Sequence, residues 1–262
     1  MTLALEICYD GSAYHGWQTQ KNAVTVQETL SKAIERATGA WPQPELSGCG
    51  RTDAGVSAAR YIASFRTETP IPADRFPMAI HAFLPPDISV RQAKIVPNGF
   101  HARFSCVKKE YVYRLYHSFL PHPFERNRAA FRPYPFNVEL MQKAAADIVG
   151  THDFSAFCAT GSAVRSPVRT VFYCDVSGNS EFVEIRICAD GFLYNMVRIV
   201  AGTLVAVSEE KLPPDIIQTL IASGDRTAAG ITLPPCGLRL EQVWYGDEPG
   251  LEGIGPNTRL FF

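Results

Sequence analysis

Gly50-Arg51-Thr52-Asp53-Ala54-Gly55-Val56-Ser57 is the stretch on which the reading of this chain turns. It sets one acid, Asp53, between two glycines and two residues after an arginine. Glycine permits backbone angles and close approaches that other residues forbid, so a carboxylate here can meet a substrate that packs against bare backbone. In an extended segment residues two apart point the same way, which would let Arg51 and Asp53 share one pocket. A neighbouring guanidinium favours the ionised carboxylate and burial disfavours it, so an acid kept charged in a dry cleft needs such a partner. The same residue types also build tight turns in which Asp caps backbone amides. On residue types alone both readings stand.

Outward from this stretch, Leu3 to Tyr9 reads as a strand and Asp10 to Ala23 as a loop of alternating aromatic, glycine and polar residues. Thr25 and Glu28 have capping-box spacing. Val26, Leu30, Ala33, Ile34 and Ala37 then form an apolar stripe that Gly39 ends. Tyr61 to Phe65 reads as a strand. Ala73 to Leu84 is a weaker helix that tolerates Pro77 only in its first turn. Ile88 to Val96 and Tyr111 to Tyr116 are further strands.

His117 to Phe136 is rich in proline, arginine and aromatics, a long irregular loop of the kind that often carries function. Val138 to Val149 is a helix with Asn137 as cap and Gly150 as stop. Val168 to Val176 and Phe182 to Cys188 are strands, the second with Val183, Ile185 and Ile187 alternating with polar partners. Phe192 to Val207 is a helix, apolar nearly all round and therefore deep. Pro214 to Ala222 is a short helix and Gly237 to Tyr245 a last strand. This order is two α+β units in series with antiparallel or mixed sheets, placed at 1–104 and 105–262; no internal sequence repeat stands out.

A chain of 262 residues with 46% hydrophobic content can fill one large or two medium domains. Its longest apolar runs, such as Ile199 to Val207, fall short of a membrane span. Its first residues lack the basic start and long apolar stretch of a signal peptide, so a cytoplasmic protein is expected. Seven scattered cysteines, none in Cys-x-x-Cys spacing, suggest neither a zinc site nor a disulfide framework. Cys49 beside the Asp53 stretch has no adjacent His or Lys to activate it and reads as packing. The net charge of -1 hides an uneven distribution. Eight Lys or Arg stand against two acids from Arg91 to Arg128, and four against eight from Val205 to Phe262. A locally basic face suits an anionic partner.

Gly-Arg-Thr-Asp-Ala-Gly-Val at 50–56 resembles the catalytic motif of the tRNA pseudouridine synthase A (TruA) family. Further segments resemble it in the same order: Tyr9-Asp10-Gly11 with Gly16-Trp17-Gln18, Val26-Gln27-Glu28, Phe100-His101-Ala102-Arg103-Phe104-Ser105, and Tyr111-Val112-Tyr113. Asp153 to Phe157, Arg169-Thr170, Met196-Val197-Arg198 and Gly237-Leu238-Arg239-Leu240 follow. The resemblance spans about Tyr9 to Tyr245.

It implies a pseudouridine synthase fold: two related ferredoxin-like α/β halves whose mostly antiparallel sheets join around a basic cleft. It also implies isomerisation of uridines 38, 39 and 40 in the tRNA anticodon stem-loop by a homodimer. No cofactor fingerprint or metal spacing is visible in the sequence. By resemblance Asp53 is the essential acid, either attacking the nucleotide or removing a ribose proton. Tyr111 stacks on the base, Arg198 faces the catalytic carboxylate, Arg51 holds the flipped nucleotide and Leu240 lines the pocket. His101, Arg103, Lys108, Lys109, Arg126, Arg128, Arg165 and Arg169 are candidates for phosphate contact. Phe100 and Phe104 read as core.

Four residues depart from the family pattern: Ser57, Tyr194 and Asn195 stand where His is frequent, and His15 where an aromatic is. The rival expectations are a tRNA-binding or folding module without catalysis, a relative modifying another tRNA position, and an acid-dependent hydrolase, for which no second carboxylate is visible.

Overall fold

The computed structural model describes residues 1–39, 45–161 and 166–246, in two compact units. The first holds Met1–Lys108 together with the chain from Leu240; the second holds Lys109–Arg239. The sequence places one boundary at 104/105 and keeps the final strand in the second half. The structure places that strand largely in the first, because hydrogen bonding between strands far apart in sequence leaves no local signal.

In the first unit the strand order is β4-β1-β3-β10, with β1 at Thr2–Tyr9, β3 at Ser57–Arg66, β4 at Ile88–Val96 and β10 at Leu238–Tyr245. A two-residue β2, Ser47–Gly48, pairs with β3. Strand β1 runs antiparallel to both neighbours, with Leu3 opposite Phe65, Leu5 opposite Ala63 and Ile7 opposite Tyr61. Alternate residues share a face, so these six form one apolar layer; Leu3, Leu5 and Ile7 are fully buried. The Phe65 ring lies 5.9 Å from Phe76 of α2, Phe76–His81, which packs on β4 and on α1, Val26–Thr38.

Helix α1 starts and stops where the sequence says. Thr25 Oγ1 accepts from the Glu28 amide, and Gly39 takes the left-handed conformation after the last turn. The Glu28 carboxylate accepts from Lys32 at 2.5 Å. Helix α2 is shorter than expected, with Pro77 in its first turn, where a missing amide costs nothing.

In the second unit the order is β5-β9-β8-β7, all antiparallel: β5 Cys106–His117, β7 Gly150–Asp153, β8 Val168–Gly178 and β9 Phe182–Ala189. Val183, Ile185 and Ile187 are fully buried, opposite Leu115, Tyr113 and Tyr111 of β5. The expected 117–136 loop holds a short strand, β6 (Ala130–Arg132), parallel to β5. Three residues are too few for a periodic signal. Helix α3, Val138–Ala146, is capped by the Asn137 side chain and packs against β8 and α4.

Helix α4, Met196–Ser208, begins four residues later than expected because Asn195 adopts a left-handed conformation that interrupts the helical run. Helix α5, Ile216–Ser223, ends at left-handed Gly224. The α+β class and the mostly antiparallel pairing agree with the sequence reading. No helix among the described residues is long and apolar enough to cross a membrane.

Candidate active site

Asp53 opens a four-residue turn in which its carbonyl accepts from the Val56 amide at 3.1 Å. Gly55, third in the turn, has φ +80°, a conformation side chains avoid. The turn reading of this stretch is therefore correct for the backbone. It leaves the Asp53 side chain half-buried between buried Thr52 and exposed Ala54, with Arg51 exposed.

The Tyr9–Trp17 segment wraps this turn. Trp17 N–H donates to Thr52 O at 3.2 Å, the Tyr9 and Thr52 hydroxyls lie 2.9 Å apart, and Gly55 N–H donates to Tyr14 O at 3.1 Å. Gly16, at φ +84°, lies so close that a Cβ there would stand 2.3 Å from Thr52 O. Ser57 Oγ, at one of the departures from the family pattern, accepts from the Gly11 amide at 3.0 Å.

Behind the turn, Trp17 stacks on Tyr61 at 4.0 Å, and the Tyr61 hydroxyl donates to Gly50 O. The Tyr14 hydroxyl donates to Asp87 at 2.6 Å; burial, with Asp87 second, pushes its pKa up and keeps it a donor. Gln27 ties α1 to the same frame, its amide donating to Trp17 O and its side chain to Leu46 O. Two distant sequence motifs are thus one object, a seat that fixes the backbone on both sides of Asp53.

The 100–105 motif is a second turn in this unit. His101 Nδ1 accepts from the amides of Arg103 and Phe104, and Ser105 Oγ accepts from the His101 amide. Ser64 Oγ accepts from the Ala102 amide and Ala102 O from the Tyr245 hydroxyl. His101 therefore shapes the turn that presents Arg103, which is exposed and lies over the Phe104 ring. Phe100 is core, against Tyr245 at 5.0 Å. Phe104 is not: it is 76% exposed, because the turn reverses the chain and lays its ring against His101. The Lys108 ammonium sits 4.9 Å from the Trp244 ring centroid. Leu240 is buried.

In the second unit Tyr111 is buried on β5, edge-on to Phe192 at 5.0 Å. Tyr113, two residues on and on the same face, donates its hydroxyl to Pro234 O; burial holds its pKa far above the usual phenol range. Arg198 stands in the first turn of α4. Its Nε donates to Leu233 O and its Nη1 to Asn195 Oδ1, both at 2.7 Å. The backbone returns the contact, Leu233 N–H donating to Arg198 O. The 230–233 segment reaches α4 because Gly202 brings no side chain; a Cβ there would stand 1.9 Å from Ile231 O.

Asn195, another departure from the family pattern, is thus the residue that aims Arg198. The apolar pattern places Asn195 inside the expected helix from Phe192, so no local signal marks this role. Arg169 Nη1 donates to the carbonyls of Ser166 and Val168, which makes it a brace of the β8 start. Lys109 is half-buried in the first part of β5, opposite Ala189. Arg165 lies outside the described residues.

A family model described as tRNA pseudouridine synthase matches residues 7–105 and 144–246. The chain belongs to the tRNA pseudouridine synthase family. It is 49% identical over 237 residues to tRNA pseudouridine synthase A of Thermoanaerobacter sp. (strain X514), covering 90% of this chain and 96% of that protein. It is 46% identical to that of Ruminiclostridium cellulolyticum, over 93% of this chain and 99% of the relative. The figure for that of Bacillus subtilis (strain 168) is 44%, over 94% and 99%. A distant likeness, TM-score 0.34 at 12% identity, covers 93% of this chain and 60% of a chain in a crystal structure of a Cbf5-Nop10-Gar1 complex.

Members of the tRNA pseudouridine synthase family are isomerases. Among the described residues no group of three or more His, Cys, Asp or Glu is placed to hold a metal ion. The match passes over 106–143, so Tyr111 and the proline-rich loop lie outside the matched segments while the Asp53 seat and Arg198 lie within them.

Proposed function

We propose that this protein converts uridine to pseudouridine in tRNA, at positions 38, 39 and 40 of the anticodon stem-loop, with Asp53 as the essential carboxylate. The observation that carries the reading is the seat itself: a family-matched segment whose backbone is pinned on both sides of one half-buried acid.

The chemistry is internal to the nucleotide. The bond from ribose C1′ to base N1 breaks, the base turns, C5 bonds to C1′, and a proton leaves C5 while N1 gains one. The target base must leave its stack to be reached. Asp53 starts the cleavage, as nucleophile or as base towards the ribose. Tyr111 supplies the face on which the base turns and helps move the C5 proton. Arg198, aimed by Asn195 and Leu233 O, balances the carboxylate, and Arg51 and Leu240 hold the flipped nucleotide. Arg103, Lys108 and Lys109 meet phosphates, while His101 and Arg169 act through the backbone they brace. The protein works as a homodimer in the cytoplasm.

The test is release of label from tRNA transcripts tritiated at uracil C5, in buffer without metal or cofactor. Wild type should release label and Asp53→Asn should not, while both bind tRNA alike. Equal release from the variant would overturn the role of Asp53. Binding without release by wild type would leave an RNA-binding module. Target position is read by mapping the product, and the dimer by light scattering.

A further inference from the structure

The segment 118–129, whose Arg126 and Arg128 the sequence offers as phosphate contacts, lies outside the matched family residues. Its base is closed by the pairing of β5 with β6, which sets Leu115 opposite Ala130 and His117 opposite Arg132, and by the Ser118 amide donating to Arg132 O. Arg132 is ion-paired with Glu209 just beyond α4. Within the loop the Tyr116 hydroxyl accepts from the His122 amide, and Glu125 O accepts from the amides of Arg128 and Ala129. The chain follows a fixed course, yet its largest apolar side chains stand in solvent: Phe119 is 92% exposed, Phe124 82% and Leu120 67%.

Globular chains normally bury such rings. Beside them in the loop are basic side chains. His122, its ring 5.6 Å from Phe124, and Arg126 and Arg128 are all exposed. Neither arginine has an ion-pair partner among the described residues, and Glu125 is the sole acid of the loop.

We infer that this loop is a separate RNA contact, which stacks unpaired bases on Phe119 and Phe124 and meets the adjoining phosphates with Arg126 and Arg128. Every base has a π face and every linkage a charge, so exposed rings followed by guanidinium groups grip single-stranded RNA without reading its sequence. A second copy of this chain would fit a continuous apolar centre poor in charge; here two prolines and His122 stand between the rings, and exposed Arg126 and Arg128 follow them. The inference rests on the tRNA-modifying reading for the identity of the RNA, but binding can be measured without turnover.

The test follows the anisotropy of a fluorescein-labelled, unmodified tRNA transcript and of a blunt RNA duplex of equal nucleotide count. The full-length variants are Phe119→Ser/Phe124→Ser and Arg126→Gln/Arg128→Gln, with melting curves and light scattering for each. The serine pair, which changes no charge, should raise Kd for the transcript about tenfold or more and leave the duplex within about twofold. The glutamine pair should weaken both RNAs and flatten the slope of log Kd against log salt by about 1.5.

An unchanged transcript Kd for the serine pair, or equal losses on both RNAs, overturns the stacking platform. So does a change in oligomeric state at unchanged RNA affinity, which would assign the rings to a second copy. If the serine pair does not fold, the glutamine pair decides, and an unchanged salt slope overturns the contact. Variants that show these losses beside a wild type that makes no pseudouridine leave this inference intact and remove the catalytic role of Asp53.

Discussion

The turn at Asp53 and the loop at 118–129 are both irregular, yet they are held in opposite ways. Around Asp53 the Gly50 and Thr52 carbonyls and the Gly55 amide are bonded by Tyr61, Trp17 and Tyr14, the Thr52 and Ser57 hydroxyls by Tyr9 and Gly11, and Gly16 lets the two backbones touch. The 118–129 loop is fastened mainly at its base by β6 and the Arg132–Glu209 pair, and it leaves its rings in water. The difference follows from what each has to do. A group that makes or breaks bonds must hold its place to a fraction of an ångström. A group that stacks on a mobile strand gains from reach and exposed area.

Substitutions in the two regions should therefore fail differently. The largest effect is at the acid. Asp53→Asn should cut label release from tritiated tRNA by about 10⁴-fold or more, with tRNA affinity and melting temperature close to wild type. A substantial loss of tRNA affinity would instead make Asp53 a binding residue.

Next is the seat. Gly16→Ala puts a methyl against the Thr52 carbonyl in a left-handed conformation. It should cost about 3 kcal/mol or more in denaturant unfolding, from clash and strain together. The surviving folded protein should lose activity because Asp53 has moved. A fully active, equally stable variant would show that the close approach is unimportant.

Third comes the anchor of the exposed loop. Burial alone would raise the Glu209 pKa; hydrogen bonds from Arg132 and Lys211 outweigh it and hold the carboxyl below its usual value. An acid with a lowered folded pKa stabilises above its unfolded pKa and loses that contribution as pH falls through the folded one. Glu209→Gln should thus cost about 2 kcal/mol at pH 7, and the gap to wild type should close as pH falls through and below the carboxylate range. A gap independent of pH would exclude the ionic origin.

The smallest effect is at the rim of the seat. Tyr9→Phe removes the partner of the Thr52 hydroxyl and should cost about 1 kcal/mol, with a modest fall in kcat at unchanged KM. A change in KM alone would place Tyr9 in substrate binding.

The helix and strand pattern was largely legible, because caps and apolar periods are local. Thr25 and Gly39 bound α1, Asn137 caps α3, and the alternation of Val183, Ile185 and Ile187 marks a strand with one buried face. Misreadings fell where the decisive contact was distant or the segment short. Phe104 reads as core by composition, but a turn set by His101 and Ser105 turns it outward. Helix α4 starts late because one residue, Asn195, leaves the helical region. The part played by Asn195 in aiming Arg198 was not legible, since the Leu233 carbonyl that completes the hold comes from 35 residues away.

What the sequence determined by itself was the inventory: the Asp53 motif, the order of its companion motifs, the element types and the two-unit plan. These depend on side-chain chemistry and on periods of two and 3.6 residues, which survive in one dimension. Tertiary structure decided which motifs meet. It turned Tyr9–Trp17 into the seat of Asp53, sent the last strand back to the first unit, and left Phe119 and Phe124 outside. Such outcomes depend on hydrogen bonds and close contacts between residues dozens of positions apart, and no local pattern encodes those.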